Sequence, residues 1–575
     1  MSATTQVPVR YQNTEYQGHH TRIFKSLTTP LEAILPPGLS QSQFDAAVDD
    51  LVSALGPDSV FVGDALKDYV DPYELWEAEG RRKQPSAAVT PRSEAQLRTV
   101  LSLAKKHSFP VWTFSRGKNL GYGGPAPRVN GSVALDLHRM DKIIEVNSEY
   151  SYAVVEPGVT FTDLYNYIVK HKLNVWPSTP SLGWGSVVGN TVDRGIGFTP
   201  TATHHQNIAG MEVMLANGEL VRTGQFAIGD GASKSSHLSK FTFGPSIEGL
   251  FLQSNLAVVT KMGIWLHPQP QAYMSVMFDV PEFEDIEALV DTFGKLRRDQ
   301  LLPNAAYVSN VLEWISMMGK REELWKGEGP IPDWRVKELQ KDLGVGYWVL
   351  KTGLYGQKDV VQAHFDELKK ICAKECPKGR LQGDLFEGKN GDLLEATQVP
   401  EQHGGFFCGI PTLWSLPMVD YRVGKTSGLG AHCDHSSIIP SNGKLILDWV
   451  KTSRKICESQ GWDLACDFFM HERHVILVTM MCYDKSRADH KKAVDTIFHQ
   501  LFQAGKSKGY SKYRSHINHM DLVQDMFDFN DHAYRRFVES IKDTLDPNGI
   551  LSPGKMGIWP QKYRHLRELP AKANL

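Results

Sequence analysis

Apolar positions along the chain recur at two periods, and each change of period marks an element. Leu97, Val100, Leu101 and Ala104 follow one another at helical spacing, behind Ser93-Glu94-Ala95-Gln96, which fits a capping box. Another helix is predicted at about 40–55. Apolar runs at 109–114, 132–137, 153–155, 211–215 and 220–223 have the length of strands, and the last two flank Asn217-Gly218, a strong hairpin turn. Short strands and helices alternate to about residue 266, with many glycines at strand ends, which indicates an α+β unit. From about 273 the texture changes. Helical patterns at 283–299 and 359–374 alternate with strands at 347–352 and 475–481, and Gly329, Pro330 and Pro332 mark loops. This second unit ends near 509, and the stretch 513–559 is again rich in turn signals such as Asp546-Pro547-Asn548-Gly549 and Ser552-Pro553-Gly554-Lys555. There is no internal repeat.

A chain of 575 residues exceeds what one core usually serves, so two or more domains are expected. With 41% apolar and 22% charged residues the composition is that of an ordinary globular protein, and a formal net charge of -2 gives no nucleic-acid face. No apolar run is long enough to span a membrane, and the polar first twenty or so residues lack a secretory h-region. The seven cysteines fall irregularly between Cys372 and Cys482, the pattern of reduced thiols in an intracellular protein. The tail Lys572-Ala573-Asn574-Leu575 departs from Ser-Lys-Leu, and the expected compartment is peroxisome or cytoplasm.

Candidate chemistry lies in five places. The glycine-rich residues 114–124 follow an apolar strand and carry Arg116 and Lys118; a concave row of backbone N–H groups there suits a pyrophosphate, against the plainer reading of a tight glycine hairpin. The loop matches neither the Rossmann nor the Walker pattern. Residues 180–190 form a second such loop, and two of them suggest an extended, phosphate-bearing cofactor. His432-Cys433-Asp434-His435 and His471-Glu472-Arg473-His474 lack the spacing of a metal site, and no metal is expected. Tyr513-Arg514 heads a polar cluster with His516 and His519.

Together these pieces resemble the 4-phenol-oxidising flavoproteins of the vanillyl-alcohol oxidase family, nearly end to end. The resemblance is carried by Gly121-Tyr-Gly-Gly-Pro-Ala-Pro-Arg128, Val155-Glu-Pro-Gly-Val159, Gly185-Ser-Val-Val-Gly-Asn190, Gly210-Met-Glu-Val213, residues 253–265, Gly409-Ile-Pro-Thr412 and residues 546–555. It implies an α+β, two-domain FAD-binding fold of the vanillyl-alcohol oxidase type, whose cap has an antiparallel sheet flanked by helices. Residues 1–270 would begin the FAD domain, 271–509 form the cap, and 510–575 return to the FAD domain. FAD would lie against Arg116, Gly117, Lys118, Asn119, Leu120 and Gly121, with Pro180, Ser181, Leu182, Gly185, Ser186, Gly189 and Asn190 along its ring side. Val259, Arg514 and Lys555 would be further contacts. His432 matches the histidine that bonds covalently to the flavin in this family, although Tyr73 stands after Asp71-Pro72 where relatives can have an activating histidine.

The same resemblance makes Tyr122, Tyr513 and Arg514 the phenol-binding trio. Lowering a phenol's pKa by about three units takes roughly 4 kcal/mol of preferential phenolate stabilisation. Ser181 stands where family members have an aspartate, so Asp467, with Asp434 as competitor, is the expected acid. The implied reaction oxidises a para-substituted phenol through a quinone methide, with dioxygen or a cytochrome as electron acceptor. The compact segment 225–243 points to a homodimer. A berberine-type oxidase is disfavoured because no cysteine precedes Cys372, and a flavin-binding protein without turnover is disfavoured by the complete trio.

Overall fold

The computed structural model describes residues 31–73, 75, 82–119, 121–230, 233–424 and 427–568; the start of the chain, the tail 572–575 and Leu120 lie outside these. Ser40 caps the helix Gln41–Leu55 through a full capping box, and Phe44, Ala47, Leu51, Val52 and Leu55 form its buried stripe. At Glu94–His107 the Ser93 hydroxyl accepts from the Gln96 N–H, but the expected reciprocal bond is redirected: the Gln96 side chain accepts from Arg92 instead.

Three sheets organise the described chain. A four-stranded sheet has the order Val60–Phe61, Ala87–Val89, Val133–Asp136, Val111–Phe114, with the last three parallel. An antiparallel five-stranded sheet contains the hairpin Ile208–Met214 to Leu220–Arg222, turned at Asn217-Gly218 with Gly218 at φ +85°. An antiparallel eight-stranded sheet runs from Arg380–Glu387 through Ala272–Val280, Trp348–Gly356, Ala306–Asn310, Ala465–Met470, His474–Asp484 and Gly430–Pro440 to Ser511–Lys512. The fold is α+β, with a large antiparallel cap sheet as expected.

Helices Ile286–Arg298, Lys358–Glu375, Gly443–Ser459 and Ala488–Ser507 cover one face of the eight-stranded sheet. Strand alternation sends Val276, Phe278, Val308, Phe468, Leu477 and Ile439 into the core they share. The intervening residues Tyr307, Asp467, Phe469, Ile476, Val478, Met480, His432 and Asp434 point the other way and line a cavity.

The C-terminal turn is drawn back onto the first unit. Val111 donates to the Ile550 carbonyl and Ser552 to the Val111 carbonyl. A fully buried lysine fixes this return: Lys542 Nζ donates to the carbonyls of Asn255 and Leu551 and pairs with Asp546 at 2.8 Å, while Asp546 accepts from the N–H groups of Ile550 and Leu551. Lys542→Met leaves the Asp546 carboxylate buried without its cation, and is expected to cost about 3–5 kcal/mol in a urea unfolding titration. A loss below about 1 kcal/mol would mean the backbone donors alone suffice.

Candidate active site

Two contiguous cavities meet between the sheets. The first, of about 200 Å³, is walled by the strand Val111–Phe114, the loop that follows it, the second glycine loop and the C-terminal turn. Of the predicted cofactor residues, Arg116, Gly117, Lys118, Asn119, Gly185, Ser186, Gly189, Asn190, Val259, Arg514 and Lys555 line it. The second, of about 230 Å³, shares Lys118, Asn119, Tyr122, Gly185, Asn190 and Arg514 and adds Pro180, Ser181, Leu182 and His432.

The first cavity fits a phosphate-bearing cofactor. Gly117, Gly121, Gly123 and Gly124 all have positive φ, so the loop bends its backbone into the cleft where side chains would block it. Gly189 is pressed against Ser115, whose Oγ would stand 2.1 Å from a Cβ there. Lys555 faces the cavity; burial lowers its pKa, with Asp193 partly offsetting this, and an anion would relieve that penalty. Buried Thr113 Oγ1, also on the wall, has no hydrogen-bond partner in the protein. The Arg116 guanidinium donates to the Gly158 carbonyl and lies 3.4 Å from Asp163. It braces the loop.

The second cavity carries the chemistry. Tyr122, Tyr513 and Arg514 stand together, the Arg514 guanidinium carbon 5.8 Å from the Tyr122 ring centre and 5.0 Å from that of Tyr513. Ser436 on the strand Gly430–Pro440 holds this loop: Tyr513 donates its N–H to the Ser436 carbonyl, and the Ser436 hydroxyl donates to the Arg514 carbonyl. Arg514 Nε donates to the Asp193 carbonyl at 2.7 Å, which aims the fork across the cavity. Burial, then the charge of Asp434, pushes the Tyr122 hydroxyl well up, against the pull of Arg514. Burial pushes Tyr513 up to about 12. Both stay protonated donors at neutral pH. The Tyr513 hydroxyl donates to the Arg194 carbonyl here, so it must rotate to serve a ligand.

The acids divide between two strands. Asp434 lies 3.0 Å from His432 Nδ1. Asp467 stands on the same sheet face two strands away, and buried Asp467 Oδ1 has no hydrogen-bond partner in the protein. Burial, then the charges of Glu313 and Asp434, holds the Asp467 carboxyl well above the usual range. Alternation sets Cys433 and His435 behind the sheet, beside Trp449 and Phe498, so they cannot join His432 and Asp434 around one ion. Elsewhere, Asp495, His499 and His519 bring ligand-type atoms within 4.8 Å of one another, with Asp495 Oδ1 at 3.4 Å from His499 and 3.6 Å from His519.

Glu313 is the acid that sequence reasoning missed. It follows Asn310, whose side chain accepts from the Glu313 N–H, so the stretch reads as an ordinary helix start. Its carboxylate turns instead to the Tyr307 hydroxyl, which reaches its two oxygens at 2.7 and 2.9 Å. Burial pushes Glu313 up to about 7, while hydrogen bonds from Tyr307 and Ser309 pull it down.

The comparisons with known proteins agree with this layout. The sequence pattern of the FAD binding domain matches residues 85–224, and that of the C-terminal domain of FAD linked oxidases matches 443–556. The chain is 33% identical to the 4-cresol dehydrogenase [hydroxylating] flavoprotein subunit of Pseudomonas putida, over 92% of this chain and 98% of that one. Among solved structures, 4-ethylphenol oxidase from Gulosibacter chungangensis, in an isoeugenol complex, superposes with a TM-score of 0.85 at 32% identity, covering 92% of this chain and 100% of that one. Substrate-bound p-cresol methylhydroxylase gives 0.83 at 32% identity, covering 92% and 99%.

Because Glu313's folded pKa of about 7 lies above its ordinary value of 4.5, the folded state holds an extra proton between these limits and stability falls as pH rises through them. The effect is on the order of 3 kcal/mol. Glu313→Gln removes it. Relative to wild type, the variant should therefore gain stability between pH about 4.5 and 8, as read by unfolding midpoints; a pH-independent difference would refute the raised acid.

Proposed function

The chain belongs to the vanillyl-alcohol oxidase/p-cresol methylhydroxylase family of FAD-linked oxidases, and on that premise we propose that it oxidises para-substituted phenols such as 4-alkylphenols, 4-allylphenols and vanillyl alcohol, with dioxygen as electron acceptor. The observation that carries this reading is the convergence of Tyr122, Tyr513, Arg514 and Asp467 on one cavity that opens into the cofactor cleft.

Arg514 supplies fixed positive charge for the phenolate, and Tyr122 and Tyr513 supply hydroxyl donors in a water-poor pocket. Trp414, Phe469, Ile476 and Val478 give the ring an apolar bed. Bound FAD would supply the acceptor for a hydride from the benzylic carbon of the para substituent, which leaves the substrate as a quinone methide. Asp467 lines the same cavity, and in its ionised form it takes the proton of an attacking water or of a substrate alcohol. Relatives with an acid in the second glycine loop would deliver water to the other face, so 4-ethylphenol should give 1-(4-hydroxyphenyl)ethanol of the opposite hand here. A racemic product would sink that assignment.

FAD is held by the lining residues of the first cavity, and His432 forms a covalent bond to it. Gln225 donates to the Phe241 carbonyl, in keeping with a compact stretch there, and the assembly is a homodimer. A second reading passes the electrons to a cytochrome; the serine at 181 facing an acid at Asp467 favours it.

Anaerobic addition of 4-ethylphenol should bleach the flavin bands of the purified protein, and air should restore them with release of hydrogen peroxide. Bleaching that air does not reverse supports the cytochrome reading; no bleaching with any phenol removes the function. Asp467→Asn should lower kcat by about 10²- to 10⁴-fold. Arg514→Met should cost about 4 kcal/mol in kcat/KM, and a loss under tenfold would show that the charge is not used.

A further inference from the structure

The proposed bond between His432 and the cofactor needs a group that prepares the imidazole, and Tyr73 stands where relatives can have an activating histidine. Its ring packs against that of His432, centres 5.1 Å apart and planes at 56°. The partner the imidazole does have is Asp434. Its Oδ1 lies 3.0 Å from His432 Nδ1, and the two side chains are only 9% and 10% exposed. They sit two residues apart on the strand Gly430–Pro440, so alternation puts both on the cavity face.

The pair is closed in from the loop side as well. Gly121 has φ +81°, and a Cβ there would stand 2.6 Å from His432 Cε1, 2.9 Å from its Nδ1 and 3.0 Å from Asp434 Oδ2. The glycine loop therefore lies directly on the dyad. With Tyr73 on the ring and Gly121 at its edge, the imidazole has little freedom to turn away from Asp434.

We propose that Asp434 is the positioning residue that readies His432 for covalent attachment of the flavin, an inference that rests on the reading that the bond forms. The carboxylate accepts from the Nδ1–H and so fixes the tautomer in which Nε2 keeps its lone pair. Nε2 then replaces one hydrogen of a methyl group on the flavin ring. That hydrogen and the imidazole proton depart with two electrons, which dioxygen takes up as hydrogen peroxide. While the ring is cationic, the Asp434 charge stabilises it, and the Nδ1 proton leaves along the same hydrogen bond. Asp434 is thereby committed to the cofactor, and Asp467 is left as the acid that serves the substrate.

The test uses full-length protein made under riboflavin limitation and then given FAD. Absorbance after desalting counts all bound flavin; fluorescence on a denaturing gel counts the covalent fraction. Wild type should become fluorescent on the gel and His432→Ala should not. Asp434→Ala should bind FAD and melt at the wild-type temperature, yet acquire covalent flavin at least tenfold more slowly. Asp434→Asn, which keeps an oxygen for the Nδ1–H, should be faster than Asp434→Ala. An Asp434→Ala protein as quick as wild type, or an Asp434→Asn protein no quicker than Asp434→Ala, overturns the role of Asp434 while the covalent bond stands. A wild-type protein that releases all its flavin on denaturation overturns the bond itself, and this inference with it.

Discussion

The two-residue alternation of an antiparallel strand is the constraint on which this site is built. Each central strand of the eight-stranded sheet must satisfy two unlike environments at once. The face toward the helices takes Ala431, Cys433 and Ile439 from one strand and Cys466, Phe468 and Met470 from another. The opposite face takes His432 and Asp434 from the first and Asp467 and Phe469 from the second. A one-residue slip of register would bury the acids under helices and turn the core apolar residues into the cavity. The same packing that makes the core therefore fixes the positions of the reactive groups. The pairing Asp434↔Met480 and Ala465↔Met480 leaves the strand of Met480 between the two acid-bearing strands, so Asp434 and Asp467 share one wall without touching.

Charge in the second cavity is uneven by construction. Arg514 is held by the backbone carbonyls of Asp193 and Asn190 and lies 3.4 Å from the Asp193 carboxylate. Around it and Lys118 stand three further acids, Asp434, Asp467 and Glu313. Burial raises two of these acids, Glu313 to about 7 and Asp467 well above its ordinary range, the latter helped by the charges of Glu313 and Asp434. Arg514 lines the cavity and can meet an incoming anion. A phenolate is such an anion, and its apolar ring matches the Trp414, Phe469 and Ile476 wall.

Much of this was legible in the sequence because local signals and tertiary roles agree. Asn217-Gly218 predicts a hairpin by backbone preference alone, and the helix at Gln41–Leu55 is announced by its cap and its apolar stripe. The glycine loops were legible for the same reason, since positive φ at Gly117, Gly121 and Gly124 has few other solutions. What stayed hidden depends on distant partners. Glu313 imitates a helix-start residue, and only the approach of Tyr307 and of the Asp467 strand makes it an acid of the site. That Arg116 also meets Asp163 and the Gly158 carbonyl depends on chain far from its own loop. Nothing local tells Tyr513 that its hydroxyl will meet the carbonyl of Arg194.

The division of labour between the acids follows from these placements. Asp434 and His432 are neighbours on one strand, so their contact survives any motion that keeps the strand intact. Asp467 belongs to another strand, and its Oδ1 lacks a protein partner, so it can exchange a proton with whatever enters. A carboxylate engaged with an imidazole serves that partner first, and serving the substrate instead would mean giving up a buried polar contact. A carboxyl held above its usual pKa in an apolar pocket lies nearer neutrality and exchanges readily. The strand positions alone thus favour Asp434 as the partner of a fixed imidazole and Asp467 as the group that turns over with the substrate.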